Sequence, residues 1–480
     1  MYKLFDYQQE IREKMDEFFR ENGQRLLIQA PTGTGKSIIM CDWIESLRNQ
    51  GKPVYFVTHS KNLLRQFSEH LDSLGIQHGV VSAGYPTTRD KIQVISAQSL
   101  MSRLHKLDEP YALLFEEAHH STNATFTKIL DEWSSCKLVG MTATPQRTDG
   151  ASLGDVYEKM IVSRPVRWFI DNGYLSDYSY FVPHELDTEG IRKVMGDFDR
   201  KALEEKLRKT TWRIGSIVEN YQKYADGRTA IAFGTSIADS EGIAERFKAY
   251  GYDMKPLHSQ MEEDLYDVIH DCKIGKRKLI SCCDIIGEGT DIKGLEAMLD
   301  GRPTQSLVIQ MQHWGRVLRA KYADGYDLST KEGRLEAIAM GGKPKAVILD
   351  FSSNYTRHGL PDDERTWSLE GNGKSVEKSA PSLKVCPRCH RPISKSSEEC
   401  PFCSYKIEVS SRQRTPIKEI NGSLVTVSSF PVSDNSVKKS VHKRESVENS
   451  IFHRSLINLI SNRTLKNIVR TARKIAKGFV

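Results

Sequence analysis

Apolar residues recur along this chain as short runs separated by helix-spaced stripes. Leu26-Leu27-Ile28, Val54-Tyr55-Phe56-Val57, Gly79-Val80-Val81, Ile92-Gln93-Val94-Ile95, Ala112-Leu113-Leu114-Phe115 and Lys137-Leu138-Val139-Gly140-Met141 each predict a strand. Between them, Ile11, Met15, Phe18 and Phe19 fit one face of a helix within residues 1–24, and Leu63, Leu64, Phe67 and Leu71 fit another. A second block begins at Thr229-Ala230-Ile231-Ala232-Phe233-Gly234. Its strands are expected to continue at Lys278-Leu279-Ile280-Ser281-Cys282-Cys283, Ser306-Leu307-Val308-Ile309 and Ala346-Val347-Ile348-Leu349. Strands alternating with helices predict parallel sheets covered by helices. The pattern divides the chain into an α/β unit at 1–150, a helical connector at 151–225 and a second α/β unit at 226–360. A polar linker at 361–384, a cysteine-rich segment at 385–405 and a flexible tail at 406–480 follow. Leu465, Ile468, Val469, Ala472, Ile475 and Phe479 give the tail a terminal amphipathic helix.

Composition fits this division. A chain of 480 residues exceeds one ordinary core. Its 39% apolar and 27% charged fractions are those of a soluble globular protein. No apolar run approaches the roughly 18 residues of a membrane helix, and Lys3, Asp6 and Glu10 do not suit a secretory signal. A cytoplasmic protein is expected. The formal charge of +7 is uneven: from Tyr405 onward the chain carries about +10 and the remainder about −3.

The first strand runs into Ala30-Pro31-Thr32-Gly33-Thr34-Gly35-Lys36-Ser37, followed by helical spacing at Ile39, Met40, Trp43, Ile44 and Leu47. Strand, glycine turn and helix are the context of a phosphate-binding loop. Its glycines and helix start aim N–H groups at one centre. Lys36 would reach the β- and γ-phosphates, and the Ser37 hydroxyl would ligate Mg²⁺. Ala30 stands where the general pattern has its first glycine. Glu116-Glu117-Ala118-His119 closes the strand at Ala112. Paired acids there suit ATP hydrolysis: one holds Mg²⁺, and the other takes a proton from the attacking water.

The order Gln8, phosphate loop, Glu116-Glu117-Ala118-His119, Thr142-Ala143-Thr144 and Gln312-His313-Trp314-Gly315-Arg316-Val317-Leu318-Arg319 resembles the superfamily 2 helicases. Within them it is similar to the DEAD/DEAH-box group that contains bacterial RadD and the motor subunits of type I and III restriction enzymes. The resemblance covers roughly residues 1–355. It implies two RecA-like parallel-sheet domains in tandem, with ATP and Mg²⁺ in the cleft between them, and a DNA helicase or translocase with a place in DNA repair or restriction. Carried over by motif, Gln8 would read adenine. Thr32, Gly33, Thr34, Gly35, Lys36 and Ser37 would bind the phosphates and Mg²⁺, the latter shared with Glu116. Glu117 would be the general base, and His119 would link ATP state to Thr142 and Thr144. Gly289 and Asp291 match a nucleotide-side motif of the second domain. Arg316 and Arg319 match the arginines that reach the γ-phosphate, oriented by Gln312. The family usually has Asp where this chain has Glu116. That leaves two readings, an active ATPase or an ATP-gated binding module that turns over poorly.

Polar loops after the strands, at Thr58-His59-Ser60-Lys61, Ser96-Ala97-Gln98-Ser99-Leu100, Gly234-Thr235-Ser236 and His258-Ser259-Gln260, suit phosphate contacts that carry no sequence information. DNA is favoured over RNA as the partner. Cys386-x-x-Cys389 and Cys400-x-x-Cys403 have the spacing of a four-thiolate Zn²⁺ ribbon. The other five of nine cysteines are scattered through apparent core, which suits a reducing compartment in a bacterial or bacteriophage-infected cell. The ribbon is expected to meet nucleic acid or a protein partner, and the basic terminal helix to neutralise phosphates, dock on a partner or lie on a membrane, with nucleic acid favoured.

Overall fold

The computed structural model describes residues 4–120, 124–146, 152–182, 190–194, 197–208, 212–261, 265–283, 292, 294–370 and 383–407. Residues 408–480 of the expected tail, with its terminal helix, lie outside these residues, as do half of the linker, Gly289 and Asp291.

The first sheet contains seven strands: β1 (Arg25–Gln29), β2 (Val54–Thr58), β3 (Gly79–Val81), β4 (Ile92–Ser96), β5 (Ala112–Glu116), β6 (Lys137–Thr142) and β7 (Lys159–Val162). All pairings are parallel, in the order β3-β4-β2-β5-β6-β1-β7. Strands β2, β4 and β5 are buried along their whole length, as expected of a parallel sheet covered on both faces. The helices of this domain are α1 (Asp6–Arg20), α2 (Lys36–Asn49), α3 (Lys61–Ser73), α4 (Ala97–Arg103) and α5 (Ala124–Glu132). Met15, Phe18 and Phe19 of α1 pack into the same core as Ile39, Trp43 and Ile44 of α2.

The second sheet has six parallel strands in the order β12-β13-β11-β14-β15-β8. They are β8 (Asp177–Phe181), β11 (Ala230–Phe233), β12 (Met254–Leu257), β13 (Leu279–Cys282), β14 (Ala297–Asp300) and β15 (Lys345–Asp350), and a small antiparallel pair, β9 (Lys193–Val194) with β10 (Asp197–Phe198), lies between β8 and β11 in the chain. The two doubly covered parallel sheets bear out the tandem α/β architecture. The stretch 151–225 is more than a helical connector. Along with α6 (Val166–Asp171), α7 (Arg200–Arg208) and α8 (Trp212–Ala225), it supplies β7 to the edge of the first sheet and β8 to the edge of the second. The later helices are α9 (Ile237–Ala249), α10 (Leu265–Lys273), α11 (Leu307–Val317), α12 (Lys331–Met340) and α13 (Tyr355–His358).

One expected strand is a helix. Ser306-Leu307-Val308-Ile309 opens α11, and the Ser306 hydroxyl accepts from the Ile309 N–H at 3.4 Å. A serine cap supplies an acceptor for a free N–H of the first turn, and this cap outweighs the β preference of Val308 and Ile309. The neighbouring strand is instead β14, Ala-Met-Leu-Asp. Asp300 at its end accepts from Gln310 Nε2 (2.8 Å) and Asn354 Nδ2 (3.1 Å), and Asn354 also donates to Gln310 Oε1 (2.7 Å). This fully buried network fixes α11 against the sheet.

After α13 the chain returns to the first domain. Trp367 packs on the second core and Leu369 on the first. The Leu369 carbonyl accepts from the Leu153 and Gly154 N–H groups and from Ser152 Oγ, each at 2.9 Å. The cysteine-rich segment pairs β16 (Leu383–Val385) with β17 (Pro392–Ser394). It leans on the second domain: Val182 N donates to His390 O at 2.8 Å, and Arg391 lies over Phe181.

Candidate active site between the two sheets

Strand order assembles the site. Because β5, β6 and β1 are neighbours and parallel, the loops leaving their carboxyl ends are adjacent. These loops carry Glu116-Glu117, Thr142-Ala143-Thr144 and the phosphate loop. Gln29 at the end of β1 bonds the middle loop through Nε2 to Ala143 O at 2.9 Å.

In the phosphate loop Gly33 and Gly35 take φ +89° and +73°, values at which a side chain would strain the backbone. Gly35 caps α2, whose first residues are Lys36 and Ser37. Lys36 is buried, and its Nζ donates to Ala30 O at 3.2 Å. Burial lowers its pKa, while Glu117 and Glu116 pull it back up. Thr34 Oγ1 donates to Pro31 O at 2.7 Å, closing the turn. Gln8, on α1, lies over the loop: its Nε2 is 2.5 Å from where a Cβ on Gly35 would sit, and its Oε1 accepts from Phe5 N at 3.0 Å. Tyr7 was not singled out by its sequence pattern, yet its hydroxyl donates to Thr34 O at 2.7 Å.

Glu116 is buried at the end of β5, and its Oε2 has no hydrogen-bond partner among the described residues. Burial first, then the Glu117 charge, pushes its pKa up to about 7. Glu117 takes φ 54°, a left-handed conformation costing roughly 1–2 kcal/mol, of the kind that clusters at functional sites. Its Oε2 lies 3.4 Å from His119 Nδ1, which is 3.2 Å from Thr142 Oγ1. The Thr142 hydroxyl also lies 3.2 Å from Thr144 O, so it bridges His119 to the loop after β6.

The second domain meets this cluster through α11. Gly315 packs so closely that a Cβ there would fall 2.3 Å from Thr32 Cβ. Arg319 Cγ lies 3.0 Å from where a Cβ on Gly33 would stand. Burial lowers the Arg319 pKa to about 10, and Glu116 opposes that shift. Arg316 is buried and shares the field of Lys36 and Glu116. Gln312 is buried on the same helix, with Nε2 lacking a hydrogen-bond partner among the described residues. His313 stacks on Phe233 at 3.6 Å and Trp314 fills the second core. The structure thus brings Gln8, the phosphate loop, Glu116, Glu117, His119, Arg316 and Arg319 together. Unpartnered buried carboxylate and amide atoms, two positive-φ glycines and a helix start suit a nucleotide triphosphate with a hard cation.

In the ribbon the four cysteine Sγ atoms lie within 4.8 Å of one another. Cys386–Cys403 and Cys389–Cys400 sulfurs are each 3.7 Å apart. Tetrahedral Zn–S bonds of about 2.3 Å imply about 3.8 Å between sulfurs, so the donor set fits zinc. His390 and Ser404, each just after a cysteine pair, take φ 56° and 53°, tightening both knuckles.

Residues 1–147 match the model for the type III restriction enzyme res subunit, and residues 212–321 match the helicase conserved C-terminal domain. A 51.5 kDa protein of a Lactococcus phage is 27% identical over 387 residues, covering 80% of this chain and 78% of its own. The Saccharomyces cerevisiae protein named as ATP-dependent helicase IRC3 is 26% identical over 351 residues, 67% of this chain; the chain spans 50% of that relative's length. A fragment described as an HsdR subunit of a type I restriction enzyme from Vibrio vulnificus shares the fold, with a TM-score of 0.54 at 17% identity over 74% of this chain and 67% of its own. Carrying a res-subunit domain and a helicase C-terminal domain in tandem, the chain belongs to the superfamily 2 helicases, a family of ATP-hydrolysing enzymes, and resembles the motor subunits of restriction enzymes.

Proposed function

We propose that this protein is an ATP-driven helicase or translocase that moves on nucleic acid, with DNA the favoured track. The observation that carries this reading is the placement of Arg316 and Arg319, from one sheet domain, against the phosphate loop and Glu116 of the other. Such an arrangement makes hydrolysis depend on domain closure.

The chain's own residues divide the work. Gln8 reads the adenine edge. The N–H groups of residues 32–37 and the Lys36 ammonium hold the phosphates. Ser37 and Glu116 would hold Mg²⁺, which would neutralise phosphate charge. Glu117, aimed by its left-handed backbone beside His119, takes the proton of the attacking water. Arg316 and Arg319, oriented by Gln312, stabilise charge on the transferring phosphoryl group, a contribution of about 10³–10⁵ in rate for such arginines. His119 relays the result through Thr142 and Thr144. Once the phosphate leaves, the arginines lose their partner and the domains separate. Loops at the carboxyl ends of β2, β4, β11 and β12 grip the backbone of the strand.

Glu116, where the family usually has Asp, favours a second reading, an ATP-gated binding module with weak turnover. The res-subunit match favours a third, a motor within a restriction or defence complex. The phage relative supports a bacterial or phage-infected setting. Zinc in the Cys386, Cys389, Cys400 and Cys403 ribbon would stiffen an accessory contact with nucleic acid or protein. Phosphate release should rise with single-stranded, duplex or forked DNA and vanish in Lys36→Ala; release indifferent to every DNA and RNA form would overturn the motor reading.

A further inference from the structure

Lys343 stands in the short turn between α12 and β15 and is 1% exposed. Gly342 before it takes φ 77°, reversing the chain so that the lysine runs inward. Its Nζ donates to the carbonyl oxygen of Arg319 at 2.6 Å. That oxygen also accepts from Ser176 Oγ at 3.4 Å. Arg319 further forms an antiparallel bridge with Leu175, and Ser176 N donates to Leu318 O at 2.8 Å. The backbone of Arg319 is therefore held from two sides, by the segment that links the domains and by one buried ammonium. A buried ammonium is costly, and an apolar side chain would fill this space with less penalty. Burial indeed lowers the Lys343 pKa to about 7; Glu296 opposes the shift, while Arg319, Lys321 and Arg228 add to it. A polar amine kept in such a place, where it donates to one backbone carbonyl, points to a role beyond filling space.

We propose that Lys343 is a positioning residue for ATP hydrolysis, fixing the Arg319 carbonyl so that the Arg319 side chain is presented to the phosphate loop. It acts through Arg319, and so rests on the reading that Arg319 reaches the phosphate. Misplacing a reacting group by about 1 Å can cost about 10²-fold in rate. Lys343→Met keeps the length and removes the donor; Lys343→Arg keeps a charged donor.

The test uses the full chain with Mg²⁺, measuring kcat and KM for ATP, and affinity for ADP with and without aluminium fluoride, a mimic of the transferring phosphoryl group. K343M should lower kcat about 10-fold or more with KM within about twofold. It should lose a similar factor of the tightening by aluminium fluoride and bind ADP alone as the wild type does. K343R should recover part of both losses. K343M with wild-type kcat and tightening sinks the positioning role alone. Equal loss of ADP and ADP–aluminium fluoride affinity shows a merely structural role and also sinks it. A wild-type protein whose ADP affinity is untouched by aluminium fluoride sinks the Arg319 reading and this proposal together. Should thermal unfolding show that K343M does not fold, Lys343→Gln, which retains a donor, is judged by the same criteria with intermediate losses expected.

Discussion

Gly315→Ala adds one methyl group at the place where the two domains touch. A Cβ there would lie 2.3 Å from Thr32 Cβ, 2.6 Å from Cγ2 and 3.0 Å from Oγ1. The overlap is with the root of the side chain, so a rotamer change in Thr32 cannot relieve it. Either the phosphate loop or α11 must retreat. The loop is braced by Tyr7 and Thr34, and α11 by Gln310, Asp300 and Asn354. Overpacking of this kind costs about 1–3 kcal/mol. At about 1.4 kcal/mol per decade, G315A should lower kcat by about 5- to 150-fold if hydrolysis needs this contact. ATP affinity measured without turnover should change less, since the substitution removes none of the groups that hold the phosphates. Thr32→Gly removes the opposing Cβ. The double variant should therefore regain most of what G315A loses relative to T32G alone. Wild-type kcat in G315A, or a double variant no faster than the product of the single effects, would refute the view that closure at Gly315 and Thr32 accompanies chemistry.

The raised pKa of Glu116 gives a pH prediction with a definite sign. In the folded, nucleotide-free protein its carboxyl stays protonated to about pH 7, against 4.5 as its ordinary value. The folded state thus binds the extra proton between these values, and stability falls as pH rises through that window, by up to about 3 kcal/mol. Thermal unfolding should show this slope and Glu116→Gln should flatten it; an equal slope in E116Q would count against the assignment. Elemental analysis should find about one zinc per chain, lost in the Cys386→Ser, Cys389→Ser double variant, and a protein of these 480 residues without zinc would refute the zinc assignment.

Much of the fold was legible because central parallel strands are continuous apolar runs. Phe56, Leu114 and Val139 announced β2, β5 and β6 by their neighbours alone. Of the edge strands β3 was legible, but β7, β8 and β12 were not: β7, for one, is only Lys-Met-Ile-Val, with two of its four residues exposed, and reads as part of a charged stretch. β14 was missed because Ala and Met carry little strand preference, and its place was given to the β-branched pair Val308-Ile309. In the site, the phosphate loop and the acids were visible because glycines and paired carboxylates have few other uses in that order. Tyr7, Lys343 and Leu175 were invisible because their roles are contacts to backbone atoms distant in sequence. Any residue with a suitable donor or shape serves such a role, so no pattern betrays it.

The return of the chain through Leu369 has a mechanical consequence. The domains are joined covalently at residues 163–176, between β7 and β8. They are joined again where the segment after α13 reaches Leu153 and Gly154. One attachment would let the second domain swivel in any direction. Two attachments define an axis, as two hinges do for a door, and leave a single easy rotation. Each ATP would then produce a stroke of fixed direction, and cutting the bonds at Leu369 should loosen the direction of that stroke before it weakens the binding of ATP.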